Sequence, residues 1–147
     1  MYKIEIISYG DIKYKPYKMA AIDFIKRLKP YCKISENKLK LKENYRKISE
    51  KDLEKHLKNK EKSSVFLLSE EGKLFNSNNF SSWLKEKKGQ DITFVIADAL
   101  GFCDKLKEKY QIISLSKLTF PHELAYIILL EQIYRSITIE IGKRYHY

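Results

Sequence analysis

Two cysteines, five glycines and three prolines are all that this chain of 147 residues contains, and each scarcity closes off a class of protein. Cys32 and Cys103 stand far apart and outside any C-x-x-C pattern. That argues against a disulfide framework or a thiolate zinc site, and it fits a reducing compartment. The three histidines, His56, His122 and His146, are scattered with no H-E-x-x-H among them, so no metal is expected. Neither G-x-G-x-x-G nor G-x-x-x-x-G-K-[ST] occurs, which removes the glycine-cradled nucleotide sites. No serine sits in G-x-S-x-G, so a nucleophile-elbow hydrolase is not expected either. Nowhere do eighteen uncharged apolar residues run together, so no membrane-spanning helix is expected. The opening Met1-Tyr2-Lys3-Ile4-Glu5-Ile6-Ile7-Ser8 alternates charge with hydrophobe, unlike a signal peptide. The expected location is the cytoplasm.

What is present suits a folded protein: 44% of the residues are hydrophobic and 13% aromatic. The length fits a single domain, residues 1–147, large enough to bury a core without staples. The net charge of +10 is unevenly placed. Residues 1–60 hold 17 Lys/Arg against 8 Asp/Glu, and residues 61–147 hold 12 against 11. A basic first part suits contact with a polyanion. Because 25 of the 29 basic residues are lysine, a solvated lysine-rich surface accounts for the charge equally well.

Periodicity places the elements. Tyr2 to Tyr9 alternates as a strand, and Lys15 to Leu28 carries Met19, Ile22, Phe24, Ile25 and Leu28 at helical spacing between Pro16 and Pro30. Leu39 to Leu41 reads as a short second strand. Ser49-Glu50-Lys51-Asp52 resembles a capping box that opens a helix to about Asn59. Ser64 to Leu68 and Ile92 to Ile96 are buried-type strands, the first followed by a polar turn, Ser69 to Lys73. Ser77 or Asn78 caps a helix that ends near Gly89. Asp104 to Tyr110 forms a short helix and Ile112 to Leu115 a last strand. A long helix starts beside Pro121 and stops at Gly142. Strand and helix alternate, so the fold class is α/β with a mainly parallel sheet flanked by helices.

In such a sheet, ligands bind beyond the carboxyl ends of the strands. The loops to watch are Leu68 to Lys73, Ile96 to Gly101 and Leu115 to Phe120. Taken alone, they are better read as ordinary strand-to-helix connections. Arg135, inside an apolar helix, is a candidate phosphate or base ligand, or else the ion-pair partner of Glu131 one turn earlier. His56, on a lysine-rich helix, reads as surface.

Four ordered motifs sharpen this picture. They are Leu68-Ser69-Glu70-Glu71-Gly72-Lys73, then Leu115-Ser116-Lys117-Leu118-Thr119-Phe120-Pro121-His122, then Glu131-Gln132-Ile133-Tyr134-Arg135, and finally Tyr145-His146. In them the chain resembles the SPOUT methyltransferases, specifically the ribosomal RNA large subunit (pseudouridine-N3) methyltransferase H family. The resemblance implies a C-terminal trefoil knot and S-adenosylmethionine-dependent methylation of N3 of a pseudouridine in large-subunit ribosomal RNA. It implies a homodimer whose RNA site spans two subunits, with the last helix (Leu124, Ile127, Ile128, Ile137) serving both core and dimer contact. The implied cofactor contacts are Leu68, Ala97, Gly101, Leu115, Ser116, Lys117, Leu118, Thr119 and Phe120. The implied catalytic residues are Arg135, Tyr145 and His146, with the two terminal residues stacking on the base and assisting proton removal. Where the family has I-G-G-x-x-G, this chain has Ile96-Ala97-Asp98-Ala99-Leu100-Gly101. Ala97 then crowds the cofactor and Asp98 strains the loop, or the Asp98 carboxylate favours the cationic sulfonium. Tyr126 stands where the family has a basic residue, which removes one expected RNA contact. The rival reading is a non-catalytic RNA- or ribosome-binding module of the same fold that has lost its cofactor.

Overall fold

A computed structural model describes residues 1–40, 46–98 and 101–147, and of residues 46–49 the backbone alone. Strands and helices alternate as β1 (Tyr2–Tyr9), α1 (Lys15–Leu28), β2 (Cys32–Leu39), α2 (Arg46–Leu57), β3 (Val65–Leu74), α3 (Ser77–Glu86), β4 (Asp91–Ile96), α4 (Asp104–Lys109), β5 (Gln111–Ser114) and α5 (His122–Glu140). The strands form one sheet in the order β2-β1-β4-β3-β5, and every neighbouring pair is parallel. The α/β layer expected from the pattern is what the chain forms.

Period-two alternation sorts the strand side chains onto two faces. Ile4, Ile6, Phe66, Leu68, Phe94 and Ile96 pack with residues of α1, α3 and α5. Ile7, Tyr9, Val65, Leu67 and Val95 pack on the other side with Leu53 and Leu57 of α2 and Leu106 of α4. A strand covered on both faces needs apolar residues at successive positions, hence the unbroken runs in β3 and β4. Phe66 and Phe94 are fully buried, and burying a phenylalanine contributes about 1.5–3 kcal/mol. Trp83 of α3 meets Phe66 edge-on at 4.8 Å between ring centroids and stacks on Phe80 at 5.5 Å.

Four expectations change. The second strand is β2, Cys32–Leu39, rather than Leu39 to Leu41, of which Leu41 lies outside the described residues. Only Cys32 and Leu39 of β2 are buried, and Lys33, Ser35, Glu36 and Lys38 are exposed, so the strand has little apolar pattern to read. It forms at the sheet edge because β1 partners its backbone over its whole length, from Tyr2–Cys32 to Tyr9–Leu39. Helix α2 opens at Arg46, so the Ser49 to Asp52 segment lies inside it and does not cap it; the Ser49 side chain is outside the described residues. Helix α3 is capped by Asn76, whose side-chain oxygen accepts from the Asn79 N–H at 2.8 Å. Ser77 donates instead to Gln132 Oε1 of α5 at 2.9 Å.

The fourth change shapes the site. The polar segment from Ser69 to Lys73 is part of β3 rather than a turn after it. Leu68 and Lys73 both stand opposite Ile113 of β5, so Ser69 to Gly72 bulge out between them. Bulges of this kind re-aim side chains next to binding sites.

Candidate functional site

The carboxyl ends of β3, β4 and β5 lie side by side, and a cavity of about 580 Å³ opens there. Its apolar wall comes from Leu68, Ile96, Phe102, Leu115, Leu118 and Phe120. Its polar edge is built from Ser69, Glu70 and Glu71 of the β3 bulge, with Asp98 after β4 and Lys107 of α4. The bulge exists because Gly72 lies against β5. A Cβ on Gly72 would stand 2.6 Å from the backbone C of Ile112 and 2.6 Å from the N of Ile113. Glu71 pairs with Lys107 Nζ at 3.0 Å, and Glu70 and Asp98 bring two further carboxylates to the edge. Asp98 also faces Tyr9, whose phenol is pushed up first by burial and then by that charge.

The loop from β5 to α5 is held in shape by its own serines. Ser114, buried, donates its hydroxyl to the Ser116 carbonyl at 2.8 Å, and Ser116 Oγ accepts from the Leu118 N–H at 3.0 Å. These local bonds fix backbone groups along the cavity wall without help from a helix or sheet. Pro121 is the residue before α5, with ψ 145°, and its carbonyl accepts the first helical bond from Ala125 N at 2.9 Å. Glu123 of the first turn reaches back to accept from the backbone N–H groups of Lys13 and Tyr14 at 2.6 and 3.2 Å. The entry to α1 is thereby tied to the cavity wall.

Of the cofactor contacts expected from the sequence, Leu68, Ala97, Gly101, Leu115, Ser116, Leu118, Thr119 and Phe120 all line this one cavity. Lys117 does not: it is exposed, and its side chain is absent from the lining. Tyr126 is buried and donates to Glu36 Oε1 of β2, so it ties α5 to the sheet edge rather than facing solvent. His122 also lines the cavity, as do Phe102 and Ala125. His122 closes the Leu115 to His122 motif, whereas Phe102 and Ala125 have no sequence signal beyond their positions near a strand-end loop. His56 contacts Asn37 Nδ2 through its Nδ1 at 3.3 Å, away from the cavity.

Arg135, Tyr145 and His146 come together elsewhere. Gly142, at φ 70°, ends α5, with Gly142 N bonded to Ile139 O and Lys143 N to Thr138 O at 2.9 Å. This paired pattern is the Schellman turn, and it folds the last residues back along α5. Arg135 donates to Glu131 Oε1 through Nη2 at 2.6 Å and Nε at 2.9 Å. Tyr145 donates its hydroxyl to the same oxygen at 3.1 Å, and the Arg135 guanidinium lies 4.8 Å from the centre of its ring. Burial first, and then Glu131, push the Tyr145 phenol up, which keeps it a donor. Arg135 Nη1 lies 3.2 Å from His146 Nδ1. Glu131, the first residue of the Glu131 to Arg135 motif, is therefore the hub of the tail. Along α5, Glu131 lies six positions beyond Ala125 at the cavity and Arg135 ten, about 9 and 15 Å along the axis. Within one chain the two clusters are apart.

The cavity volume lies within the roughly 300–1,000 Å³ of small-molecule sites, and an apolar wall with a few polar groups is their usual chemistry. Residues of the β3 bulge and of the segments after β4 and β5 border the cavity; backbone groups there suit an adenine edge and the carboxylates a sulfonium, so the residues present fit S-adenosylmethionine. Among the described residues no group of three or more His, Cys, Asp or Glu is placed to hold a metal ion. No helix among them is long and apolar enough to cross a membrane.

Comparison with known proteins agrees with this chemistry. The family described as "Predicted SPOUT methyltransferase" matches residues 2–146. The chain is 40% identical to the ribosomal RNA large subunit methyltransferase H of Caldicellulosiruptor saccharolyticus, over 97% of this chain and 99% of that one. It is 36% identical to the protein of the same name from Clostridium acetobutylicum, over 97% and 98%. Among solved structures, a probable methylase family protein from Haemophilus influenzae Rd KW20 superposes with a TM-score of 0.54 at 10% identity, over 95% of this chain and 66% of that one. With a match across nearly its whole length and full-length relatives well above 30% identity, this chain belongs to the SPOUT methyltransferase family.

Proposed function

We propose that this chain, a single SPOUT domain, methylates N3 of a pseudouridine in large-subunit ribosomal RNA in the cytoplasm, using S-adenosylmethionine and working as a homodimer. The observation that carries the reading is the cavity at the ends of β3, β4 and β5, where eight of the nine expected cofactor contacts converge. The names of the full-length relatives supply the substrate class. Bound there, the cofactor supplies an electrophilic methyl group. The chain's own task is then positioning: holding the donor in the loops and presenting N3 in line, which can account for much of such a rate enhancement. The loop after β4 and the segment after β5 border one cavity, and α5 packs against both α1 and α3. That arrangement supports a C-terminal trefoil knot, a rare exception among chain topologies.

The separation of the two clusters supports the dimer. A tail anchored on Glu131 and Arg135, about 9 to 15 Å along α5 from its own cavity, serves chemistry if it reaches the cavity of a second copy. Helix α1 exposes Met19 and Ile22 at 62% and 61%, although their spacing is that of a core stripe. Neighbouring α5 leaves Leu124, Ile127 and Ile128 partly exposed, while Ile137 is buried in the core. A second copy covering these faces would hide them. Calorimetric titration with S-adenosylmethionine, followed by transfer of labelled methyl to large subunits and ribosomes lacking the modification, tests the reading. Saturable binding and labelling at a pseudouridine are expected. RNA binding without cofactor binding would overturn it in favour of a non-catalytic module.

A further inference from the structure

We infer that Arg135 is a positioning residue that locks His146 as the neutral Nε2–H tautomer, so that His146 donates a hydrogen bond to the target base instead of removing its N3 proton. The inference rests on the proposed reading that places the tail at the reaction site. Arginine offers only donors, and Arg135 Nη1 meets His146 Nδ1 at 3.2 Å. Nδ1 must therefore accept, which places the ring proton on Nε2. Arg135 is held against turning away, because Nε and Nη2 are both bonded to Glu131 Oε1 and its Cζ sits over the Tyr145 ring at 4.8 Å from the centre. The same Glu131 oxygen holds the Tyr145 hydroxyl, so both tail residues are anchored to one ion pair. With the Nδ1 lone pair occupied by Arg135 and the proton on Nε2, the ring has no free lone pair with which to take a proton from the base.

On this assignment the N3 proton leaves to water, and the electron pair stays on N3. The resulting negative charge spreads onto the flanking carbonyl oxygens of the base, where an Nε2–H donor stabilises it. Donors aimed at developing charge are worth roughly 10²–10³-fold in rate.

The test uses the full-length protein, uniformly ¹⁵N-labelled. Long-range ¹H–¹⁵N spectra at neutral pH should show an unprotonated Nδ1 and a protonated Nε2 for His146, identified by loss of its signals in His146→Gln. Arg135→Ala should release the ring to a mixture of tautomers. In single-turnover methylation, His146→Gln, which keeps a donor at the Nε2 position, should retain activity within about tenfold, whereas His146→Ala should lose about a hundredfold. The rate should keep rising tenfold per pH unit above the ordinary imidazole range near 6.5, because ionised N3 becomes more abundant. A protonated Nδ1, a rate that levels off just above that range, or a Gln variant as slow as Ala would overturn the assignment. A His146→Ala enzyme as fast as wild type would overturn it together with the tail reading, whereas a protonated Nδ1 would leave that reading standing.

Discussion

Replacing Gly72 with alanine tests whether the β3 bulge positions the cavity. Gly72 is not among the positive-φ glycines, so its requirement is space rather than backbone freedom. The new methyl would meet Ile112 C and Ile113 N at 2.6 Å and Ile112 Cγ2 at 2.7 Å. Ordinary contact begins near 3.4 Å, so β3 and β5 must part by about 0.8 Å. Two of those atoms are backbone, held in the β3–β5 ladder through Leu68–Ile113 and Leu74–Ser114, and they cannot rotate aside as a side chain would. Overpacking of a well-filled site costs about 1–3 kcal/mol, and here the displacement falls on the strand that leads into Leu115 to Phe120. Urea denaturation of Gly72→Ala should therefore show a lower midpoint with an unchanged slope. Cofactor titration of the folded variant should show at least severalfold weaker binding. An alanine variant with wild-type midpoint and wild-type affinity would show that the bulge relaxes freely and that Gly72 does not set the cavity.

Light scattering at micromolar concentration should give twice the 17.5 kDa chain mass, with an interface on the order of 1,600 Å²; a single 17.5 kDa species would count against the dimer. Asp98→Asn should weaken S-adenosylmethionine more than its demethylated, uncharged-sulfur product, by on the order of 1 kcal/mol for charges at the edge of solvent, and equal weakening of both would refute the charge argument. For Glu140, burial acts to raise the carboxyl, but hydrogen bonds from Lys88 and Tyr2 outweigh it and hold it low. A lowered folded value gives stability that is present above the unfolded value, about 4.3, and is lost as pH falls through the folded one. The stability gap between wild type and Glu140→Gln should accordingly close in acid, and a gap constant from pH 7 to pH 3 would contradict it. With a thiol reagent in native buffer, half-buried Cys103 should label first, while Cys32, buried and pushed up to about 12 by that burial, should label only on unfolding; simultaneous labelling would mean that β2 opens readily.

The parts of the fold legible in the sequence are those whose burial is written in side chains. β3 and β4 announce themselves because residues facing both layers must be apolar, β1 by its alternation, and α5 because Pro121 and Gly142 bracket it. β2 is not legible at its true position because its stability comes from backbone pairing with β1, which leaves Lys33, Ser35 and Lys38 free to be polar. The β3 extension was hidden for a related reason. Ser69-Glu70-Glu71-Gly72-Lys73 has the composition of a turn, and only its contact with β5, from elsewhere in the chain, makes it a strand with a bulge. The cavity loops were found through motif resemblance, since Leu115 to Phe120 has no local pattern that separates a ligand wall from an ordinary connection.

The tail shows how a local signal and a distant contact divide the work. Gly142 marks a helix end in the sequence, and nothing lies within 4 Å of the place its Cβ would occupy. Its requirement is the positive φ alone, unlike that of Gly72. Gly142→Ala should therefore cost only about 1 kcal/mol of helix-end strain and leave the core intact. Yet that turn aims Tyr145 and His146 at Glu131 and Arg135, and a change of roughly ten degrees there, over a lever of about 10 Å, would move the last residues by more than an ångström. Misplacement on that scale can cost about 10²-fold in rate. Methylation should accordingly fall much further than stability, with cofactor affinity at the cavity unchanged. Equal, small losses in both would mean that the tail finds its place without the turn, and that the Glu131 and Arg135 bonds suffice to hold it.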